Sequence, residues 1–364
     1  MTDIQSQAPP IAPRPYMISS RAAGPNRYLG LRVRLLLVLL RRRKLTFRKL
    51  LNVAHCYLAY LLRTERSAPT PMLINFELWN ECNESCVFCR SKDDLIYDQN
   101  PSRAGHVIPK GKMAFETFER IIDQTKSRTV MAIPYVNGEP LLSKDIYRAI
   151  EAATAAGVGT LIATNGVLLN ERNSRRLLEA GLDLIKVHVS GFSQAVHGIE
   201  HRRGDVERIK AELQRLVQIK KEYKSATLIL LDYILYNHNR HELELARRFA
   251  DELGILFNVR PGNNKGLEDT EPANVSGPLP VDVPCVWLWT ALTVDWNGAV
   301  YPCCDHVVWG GAESYSTYEP STSDIGEIWN GARSRWMRKV HARDGRTPIQ
   351  ICAQCPRTGT AFKF

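Results

Sequence analysis

Three closely spaced cysteines, Cys82, Cys86 and Cys89, are the residues of this sequence best suited to chemistry. Three residues separate the first pair and two residues separate the second pair. Thiolates at such spacing can converge on one metal centre, and soft sulfur ligands select zinc or an iron–sulfur cluster. Because a closed site needs four ligands, three cysteines leave one position open.

A second group of cysteines lies near the C-terminus. Its members are Cys285, Cys303, Cys304, Cys352 and Cys355. Gly298 stands between the first two, in the pattern C-x12-G-x4-C, and Trp296-Asn297-Gly298 predicts a hairpin turn between strands at 291–294 and 299–302. Four cysteines from separated segments can hold either a cluster or a structural zinc ion.

Cysteine usage and charge limit the class of protein. The chain has 364 residues and nine cysteines, eight of them in these two groups, which argues against a secreted disulfide framework and favours a reducing cytoplasm. Residues 1–70 carry thirteen Lys or Arg against two acidic residues, whereas the remainder carries thirty-five against thirty-six. A body without net positive charge argues against nucleic acid as a partner.

The basic N-terminal part divides into two segments. Residues 1–28 lack periodicity, which predicts a disordered lead-in. Residues 29–70 predict a basic amphipathic helical extension, whose apolar run at 35–40 is too short to cross a bilayer. Residues 29–63 either lie on an anionic membrane surface, which would place the protein peripherally at its inner face, or pack on the body as a cap with solvated arginines outward.

From residue 71 onward apolar strand patterns alternate with helical patterns. The predicted strands are 72–78, 129–135, 159–163, 184–189, 226–235 and 255–260. Strict alternation predicts right-handed βαβ units and a parallel sheet over residues 71–260. Residues 261–284 indicate a linker, and residues 285–364 a second, cysteine-containing unit.

The C-x3-C-x2-C loop after a first strand resembles the radical S-adenosylmethionine (SAM) superfamily. Residues 137–140, Asn-Gly-Glu-Pro, resemble that family's glycine-rich GGEP segment, and residues 164–166, Thr-Asn-Gly, resemble its TNG turn. The resemblance implies a partial (β/α)6 TIM-like barrel, with a [4Fe–4S] cluster on Cys82, Cys86 and Cys89. It also implies that SAM occupies the open position and yields a 5′-deoxyadenosyl radical.

The same resemblance implies which residues contact SAM. Glu139 would receive the ammonium group, and a basic segment at 201–204 would hold the carboxylate. His188 and Ser190 replace the family's usual serine and acidic residue on the fourth strand, so their individual roles stay open. The implied SAM contacts are Phe88, Gly138, Glu139, Asn165, His188, Ser190 and Arg203.

The C-terminal cysteines resemble the SPASM/twitch auxiliary-cluster domain of radical SAM enzymes. Cys285, Cys303, Cys352 and Cys355 are the implied ligands of an auxiliary [4Fe–4S] cluster, and the shorter twitch form is the closer match. The choice between Cys303 and Cys304 stays open, as does a zinc site. Side chains at the strand ends, among them Arg260, His188 and Tyr233, are candidates to assist the reaction.

A closed auxiliary cluster has no open iron to bind substrate, which favours its use as an electron acceptor. We therefore expect a radical SAM oxidoreductase that dehydrogenates or rearranges a polyol, a sugar or a lipid-linked small molecule. A reductant such as flavodoxin or ferredoxin would supply the electron that cleaves SAM. The alternatives are a peptide-modifying maturase and, from another class, a non-enzymatic iron–sulfur or zinc protein.

Overall fold

The computed structural model describes residues 27–86, 89, 110–262, 282–308, 314–353 and 355. Phe88 lies outside the described residues, as do most of the predicted lead-in at 1–28 and most of the predicted linker at 261–284. No helix in the described part of the chain is long and apolar enough to span a bilayer.

Strands of both halves of the chain form one sheet. They are β1 (Leu73–Phe76), β2 (Met131–Ile133), β3 (Gly159–Thr164), β4 (Leu184–Val189), β5 (Leu228–Leu235), β6 (Leu256–Pro261), β7 (Ala291–Val294), β8 (Ala299–Tyr301) and β9 (Ser316–Thr317). Their order across the sheet is β6-β5-β4-β3-β2-β1-β7-β8-β9. Neighbours from β6 to β7 are parallel, whereas β8 is antiparallel to β7 and to β9.

Helices follow most strands of the parallel part. The helices are α1 (Arg27–Arg41), α2 (Phe47–Leu61), α3 (Phe115–Thr125), α4 (Ile146–Ala155), α5 (Glu171–Glu179), α6 (Gln194–Glu200), α7 (Val206–Glu222), α8 (Leu243–Leu253), α9 (Trp287–Thr290), α10 (Cys304–Val308), α11 (Ile325–Trp329), α12 (Ala332–Asp344) and α13 (Gln350–Ala353). The predicted alternation of strands and helices over the six strands β1 to β6 is confirmed.

The inner face of the barrel changes from apolar to polar along the strands. On β4, Leu184 packs in an apolar cluster at the N-terminal end, while Lys186 and His188 follow on the same face. On β5, Leu230 lies in the same apolar cluster and Asp232 follows it. The side chains that can bind a polar molecule therefore lie at the C-terminal ends of the strands, as in TIM barrels.

Helix α1 closes the opposite, N-terminal end of the barrel. Leu31, Leu35 and Leu39 are buried in one cluster with the first residues of several strands, including Met131 and Leu184. Just after α1, Arg42 and Lys44 both bind the buried carboxylate of Asp183, at 2.9 and 2.7 Å. Of the two arrangements expected for this segment, the cap is therefore present on its inner side.

The C-terminal segment extends the same sheet. β7 pairs in parallel with β1, and the turn to β8 contains Gly298 at φ +83°, as the Trp-Asn-Gly sequence predicts. Arg338 of α12 is fully buried and donates to the carbonyls of Leu288 and Trp329, at 2.6 and 2.9 Å. These bonds attach the last long helix to α9 and α11 and fix the region that holds the second group of cysteines.

Candidate functional site

The first cysteine loop follows the C-terminal end of β1, and Cys82 lies six residues beyond the last residue of that strand. Cys86 is buried, and its carbonyl accepts a hydrogen bond from Cys89 N at 3.1 Å. Glu84 N donates to the sulfur of Cys82 at 3.4 Å. Burial raises the pKa of Cys82 to about 12, and that of Cys86 well above its usual value. A metal centre would have to displace these thiol protons, as thiolate ligation requires.

The segment around Gly138 lies directly against this loop. Gly138 has φ +72°, and its lack of a side chain lets the backbone approach Glu81, whose carbonyl accepts from Glu139 N at 2.8 Å. The Glu139 carboxylate is buried and accepts from Thr164 Oγ1 at 2.7 Å and from Asn165 N at 2.9 Å. Burial raises the pKa of Glu139 to about 7. Glu139 therefore joins the turns that follow β2 and β3.

Asn165 completes this contact between turns and cysteine loop. Its Nδ2 donates to Asn83 Oδ1 at 2.9 Å and lies 3.9 Å from the sulfur of Cys82. Three of the residues predicted to bind SAM, Gly138, Glu139 and Asn165, thus lie together beside the first cysteine. Their contacts with SAM itself stay a prediction.

A chain of buried polar groups links the end of β4 to Cys86. Ser190 Oγ lies 3.0 Å from His201 Nε2, and His201 Nδ1 lies 3.0 Å from Glu84 Oε2. The thiol of Cys86 donates to the same Glu84 oxygen at 3.1 Å. Burial lowers the pKa of His201 to about 3 and raises that of Glu84 to about 7. The Ser190 hydroxyl is therefore engaged with His201.

The sequence predicted Arg203 as the SAM contact of the basic segment 201–204, but the residue of this segment that points inward is His201. Arg203 is exposed at φ +66°, while the carbonyl of Arg202 accepts from Ser85 N at 3.1 Å. Glu84 and His201 were not predicted as contacts of the cysteines. Glu84 and His201 lie 117 positions apart in the sequence, so no local pattern predicts their contact. The only indication was that Glu84 lies in the cysteine loop and His201 in the basic segment 201–204.

A second polar group lies at the ends of β4, β5 and β6. Asp232 accepts from Arg260 Nε at 2.9 Å and from Asn258 Nδ2 at 2.5 Å, and His188 Nε2 lies 3.3 Å from the same carboxylate. Burial alone would raise the pKa of Asp232, but the nearby Arg260, His188 and Lys186 outweigh it and the pKa lies below its usual value. Asp232 is therefore an anion at neutral pH.

His188 is neutral in this environment. Burial and then the charge of Arg260 lower its pKa to about 3. Arg260 is one-third exposed, and apart from Nε its donors make no hydrogen bond to the described residues. The sequence placed His188 and Arg260 at the barrel mouth, and the structure brings both onto one carboxylate.

Tyr233 does not lie in this group, which corrects its expected position. It neighbours Asp232 on β5, so the two side chains point to opposite faces of the sheet. Tyr233 is fully buried in the cluster that includes Ala246 and Ala250 of α8, and its hydroxyl donates to the carbonyl of Asn239 at 2.7 Å. It packs between sheet and helices and does not reach the barrel interior.

The second group of cysteines lines one pocket. Its described lining is Cys285, Trp287, Leu288, Cys303, Cys304, His306, His341, Arg346, Ile351, Cys352 and Cys355. Burial raises the pKa of Tyr315; the nearby guanidinium of Arg338 lowers it, and the thiols of Cys303, Cys352 and Cys285 raise it further. Thiolates gathered around one pocket can hold either an iron–sulfur cluster or a zinc ion.

Basic and neutral groups surround this pocket. His341 Nδ1 accepts from Cys285 N at 3.2 Å, and His306 Nε2 lies 3.6 Å from the sulfur of Cys352. Arg346 is buried in the same lining, and no carboxylate is among the described lining residues. A thiolate-ligated cluster carries negative charge, which this lining can compensate.

Comparison with known families matches both cysteine regions. The model described as the Radical SAM superfamily matches residues 76–250. The SPASM model, described as an iron-sulfur cluster-binding domain, matches residues 285–356. The first range contains the Cys82 loop and the turns around Glu139 and Asn165, and the second contains the pocket cysteines.

Relatives of several activities are similar to this chain. The AdoMet-dependent heme synthase of Methanosarcina barkeri is 25% identical over 210 residues, which is 56% of this chain and 55% of the relative. The PqqA peptide cyclase of Granulibacter bethesdensis is 26% identical over 184 residues, 50% of this chain and 45% of the relative. The chain thus spans about half the length of the curated relatives it matches.

Solved structures share the fold. The crystal structure of Streptococcus suis SuiB bound to S-adenosylmethionine superposes with a TM-score of 0.56 at 13% identity, covering 77% of this chain and 69% of the other. Likeness at this identity concerns the fold alone. This fold is thus shared with a protein whose crystal structure contains bound S-adenosylmethionine.

Proposed function

This chain belongs to the radical SAM superfamily and carries a SPASM-type iron–sulfur domain, and from that premise we propose that it oxidises a small polar molecule. The two domains imply a SAM-binding [4Fe–4S] cluster, a further cluster and SAM itself. We propose Cys82, Cys86 and Cys89 as ligands of the first and Cys285, Cys303, Cys352 and Cys355 as ligands of the second. When bound, these groups supply reductive cleavage of SAM, removal of a substrate hydrogen atom, and an acceptor for the electron left behind.

The observation that carries the proposal is the polar group around Asp232. An anionic carboxylate, a guanidinium and a neutral imidazole share one position at the C-terminal ends of the strands. Such a set can bind the hydroxyl groups of a polyol or sugar, because each hydroxyl both donates and accepts. A site built to bind hydroxyls also rejects analogues that lack them.

Oxidation of an alcohol carbon also releases a proton, and His188 is our candidate to relay it; because its pKa is only about 3, it would pass the proton on rather than keep it at neutral pH. If Nε2 carries the hydrogen that faces Asp232, Nδ1 is the acceptor nitrogen. Asp232 would stabilise the imidazolium that forms, which is the usual role of a carboxylate beside a catalytic histidine. Arg260 would hold the substrate through its remaining donors.

The pocket of the second group supports an oxidative outcome. Four cysteine ligands close a cluster, so it can exchange electrons but not bind substrate. Cys82 follows the C-terminal end of β1, whereas Cys285 precedes α9 and the N-terminal end of the neighbouring β7. A substrate held at Asp232 would lie inside the barrel. The barrel strands connect the end that carries the Cys82 loop with the end that carries Cys285.

We further propose a cytoplasmic protein at the inner face of the membrane, reduced by a flavodoxin or ferredoxin. The eight free cysteines in two metal-type groups support a reducing compartment. The small-molecule substrate would then be soluble or lipid-linked.

Peptide modification is the second candidate. The PqqA peptide cyclase and a mycofactocin maturase are among the relatives, and a SuiB structure with a bound precursor peptide shares the fold with a TM-score of 0.54. A peptide would also meet Arg260 and Asp232 at the barrel mouth. Assaying the loaded protein with polyols and with peptides, and following substrate-dependent 5′-deoxyadenosine release, separates the two.

The decisive experiment is anaerobic reconstitution followed by iron counting and incubation with SAM and a reductant. We expect about eight irons per chain and release of 5′-deoxyadenosine. Cys82→Ala should abolish release, whereas Cys56→Ala, at a buried cysteine outside both groups, should not. About four irons with one zinc would exclude the auxiliary cluster and the oxidation, and full activity of Cys82→Ala would exclude the whole assignment.

A further inference from the structure

The outer sides of α1 and α2 expose an unusual number of large apolar side chains. Eleven of the sixteen large hydrophobic residues exposed in the described part of the chain lie between Val33 and Leu62. We call this set the outer face; it comprises Val33, Leu36, Leu37, Leu40, Phe47, Leu50, Leu51, Tyr57, Leu58, Leu61 and Leu62. Phe47 is 74% exposed and Leu61 is 71% exposed, so these side chains extend well into solvent.

The outer face is not the core-facing side of the two helices. Leu31, Leu35 and Leu39 of α1 are buried against the barrel, and Cys56 and Ala59 of α2 are buried as well. The helices are therefore apolar on both sides, although only one side is covered by the chain's own described residues. An exposed apolar patch of this kind marks an interaction surface.

The charges around the outer face are of one sign. Residues 27–63 contain ten Lys or Arg and no Asp or Glu. Lys44 and Lys49 are buried, but Arg34 and Arg41 of α1, Arg43 of the connection and Arg48 of α2 are exposed. Apolar side chains interleaved with exposed arginines fit the boundary between headgroups and acyl chains of an anionic bilayer.

Charge also argues against a second copy of this chain as the occupant. A two-fold dimer through the outer face would place the same patch against itself. Arg34, Arg41, Arg43 and Arg48 would then meet their own copies, and no acidic residue within 27–63 could compensate them. An anionic lipid surface supplies that compensation directly.

The position of the outer face fixes the orientation of the barrel. α1 covers the N-terminal ends of the strands, while the Cys82 loop, Glu139 and Asp232 lie at or beyond the C-terminal ends. The two surfaces are therefore on opposite ends of the barrel.

We propose that the outer face of α1 and α2 docks on an anionic phospholipid bilayer, with the mouth of the barrel turned away from the lipid. This deepens the location given under the proposed function, and it does not depend on the reaction. It also means that the substrate and the reductant meet the protein from the aqueous side. A lipid-linked substrate would have to reach around the barrel rather than enter from below.

The test is co-sedimentation of the reconstituted, full-length protein with vesicles under anaerobic conditions. One set is phosphatidylcholine alone, and the other contains about one third phosphatidylglycerol. We expect at least about tenfold stronger partitioning onto the anionic vesicles, weakened by added salt. Equal binding to both sets, or no binding to the anionic set, would overturn the proposal.

Matched variants locate the contact. Leu51→Ser with Leu58→Ser, and separately Arg34→Gln with Arg41→Gln and Arg48→Gln, should each reduce anionic-vesicle binding about tenfold or more. Leu245→Ser with Trp336→Ser is the control, because these side chains are 45% and 47% exposed on α8 and α12. Unchanged binding of the outer-face variants would refute the assignment.

Two further measurements exclude other occupants. Light scattering should find the same mass for the parent and for Leu51→Ser with Leu58→Ser. A dimer that this variant dissociates would overturn the proposal in favour of a second copy.

A chain lacking residues 1–26 should bind vesicles as the parent does. If only the shortened chain binds, the N-terminal segment is the occupant of the outer face and the proposal is overturned. Iron content and SAM cleavage should be unchanged in the leucine variant, so failure here stays distinct from failure of the proposed function.

Discussion

A side chain on Gly138 would collide with the backbone of Glu81. A Cβ built on Gly138 would lie 2.5 Å from the Glu81 carbonyl oxygen, in the residue just before Cys82. The glycine is thus needed for the close approach of the second turn to the cysteine loop. It also has φ +72°, a conformation that costs other residues about 1 kcal/mol or more.

Gly138→Ala should therefore damage SAM cleavage more than stability. The cysteine loop would have to move by roughly 1 Å, and misplacement of that size costs about 100-fold in rate. The measurement is the rate of 5′-deoxyadenosine release by anaerobically reconstituted protein. Gly157→Ala is the matched control, because Gly157 has φ +71° but a Cβ there meets nothing within 4 Å. Equal rates in the two variants would contradict the packing explanation.

The two adjacent cysteines of the second group give another matched pair. Cys303 and Cys304 both line the pocket, but Cys303 raises the pKa of Tyr315 together with Cys285 and Cys352, whereas Cys304 begins α10. We expect Cys303→Ser to lose about four irons per chain while Cys304→Ser retains them. Iron counting and the electron paramagnetic resonance spectrum of the reduced protein measure the difference. The opposite pattern would assign the ligand to Cys304.

Local patterns were enough to predict the strands and the two cysteine groups. The apolar runs of β1 to β6 and the spacing around Cys82, Gly138 and Asn165 are properties of short segments, which periodicity and turn chemistry describe. Strands β1 to β4 are buried on both faces almost throughout, as parallel strands between helices and barrel interior must be. For that reason the sequence predicts where each strand lies along the chain, but not which of its side chains face the barrel interior.

Contacts between distant segments could not be predicted in this way. The register pairs His188 with Asp232 and Asp232 with Asn258, and only this register brings Arg260 onto the same carboxylate. Strand parity also decides that Tyr233 faces the helices. The link from Glu84 to His201 joins residues 117 positions apart. These contacts depend on how distant segments align with one another, which the sequence of a single segment does not determine.

Acid should weaken the fold through His197. Burial, followed by the charge of His201, lowers the pKa of His197 to about 3, and its Nδ1 accepts from Ser190 N at 3.3 Å. In the unfolded chain the His197 imidazole is protonated below about pH 6.5, whereas in the folded chain it stays neutral down to about pH 3. The contribution of His197 to the free energy of unfolding is therefore complete above about pH 6.5 and is lost as the pH falls toward 3. The loss approaches about 1.4 kcal/mol per pH unit for one such group.

His197→Gln tests this directly, since the amide oxygen can still accept from Ser190 N. Between pH 7 and about pH 5, the free energy of unfolding measured in urea should fall less for the variant than for the parent. The difference should be at most the contribution of one titrating group, about 1.4 kcal/mol per pH unit. Identical pH dependence in both proteins would show that His197 is not the group responsible.

The attachment of α1 to the barrel depends on one buried carboxylate. Asp183 is fully buried and accepts from Arg42, from Lys44 and from Thr160 N at 2.8 Å. Asp183→Asn would leave the ammonium of Lys44, itself 3% exposed, without a buried counter-charge. Breaking a buried ion pair from one side costs about 3–5 kcal/mol, and we expect a loss in that range in urea unfolding.

A surface pair provides the comparison for Asp183. Glu171 binds Arg175 at 2.9 Å on α5, with both side chains exposed, and exposed pairs contribute about 0–1 kcal/mol. Glu171→Gln should therefore change the unfolding free energy little. Because Asp183 holds the residues just after α1, its variant should also increase proteolysis of the α1–α2 connection. Stability equal to that of Glu171→Gln would show that the apolar contacts of Leu31, Leu35 and Leu39 hold α1 in place without the ion pair.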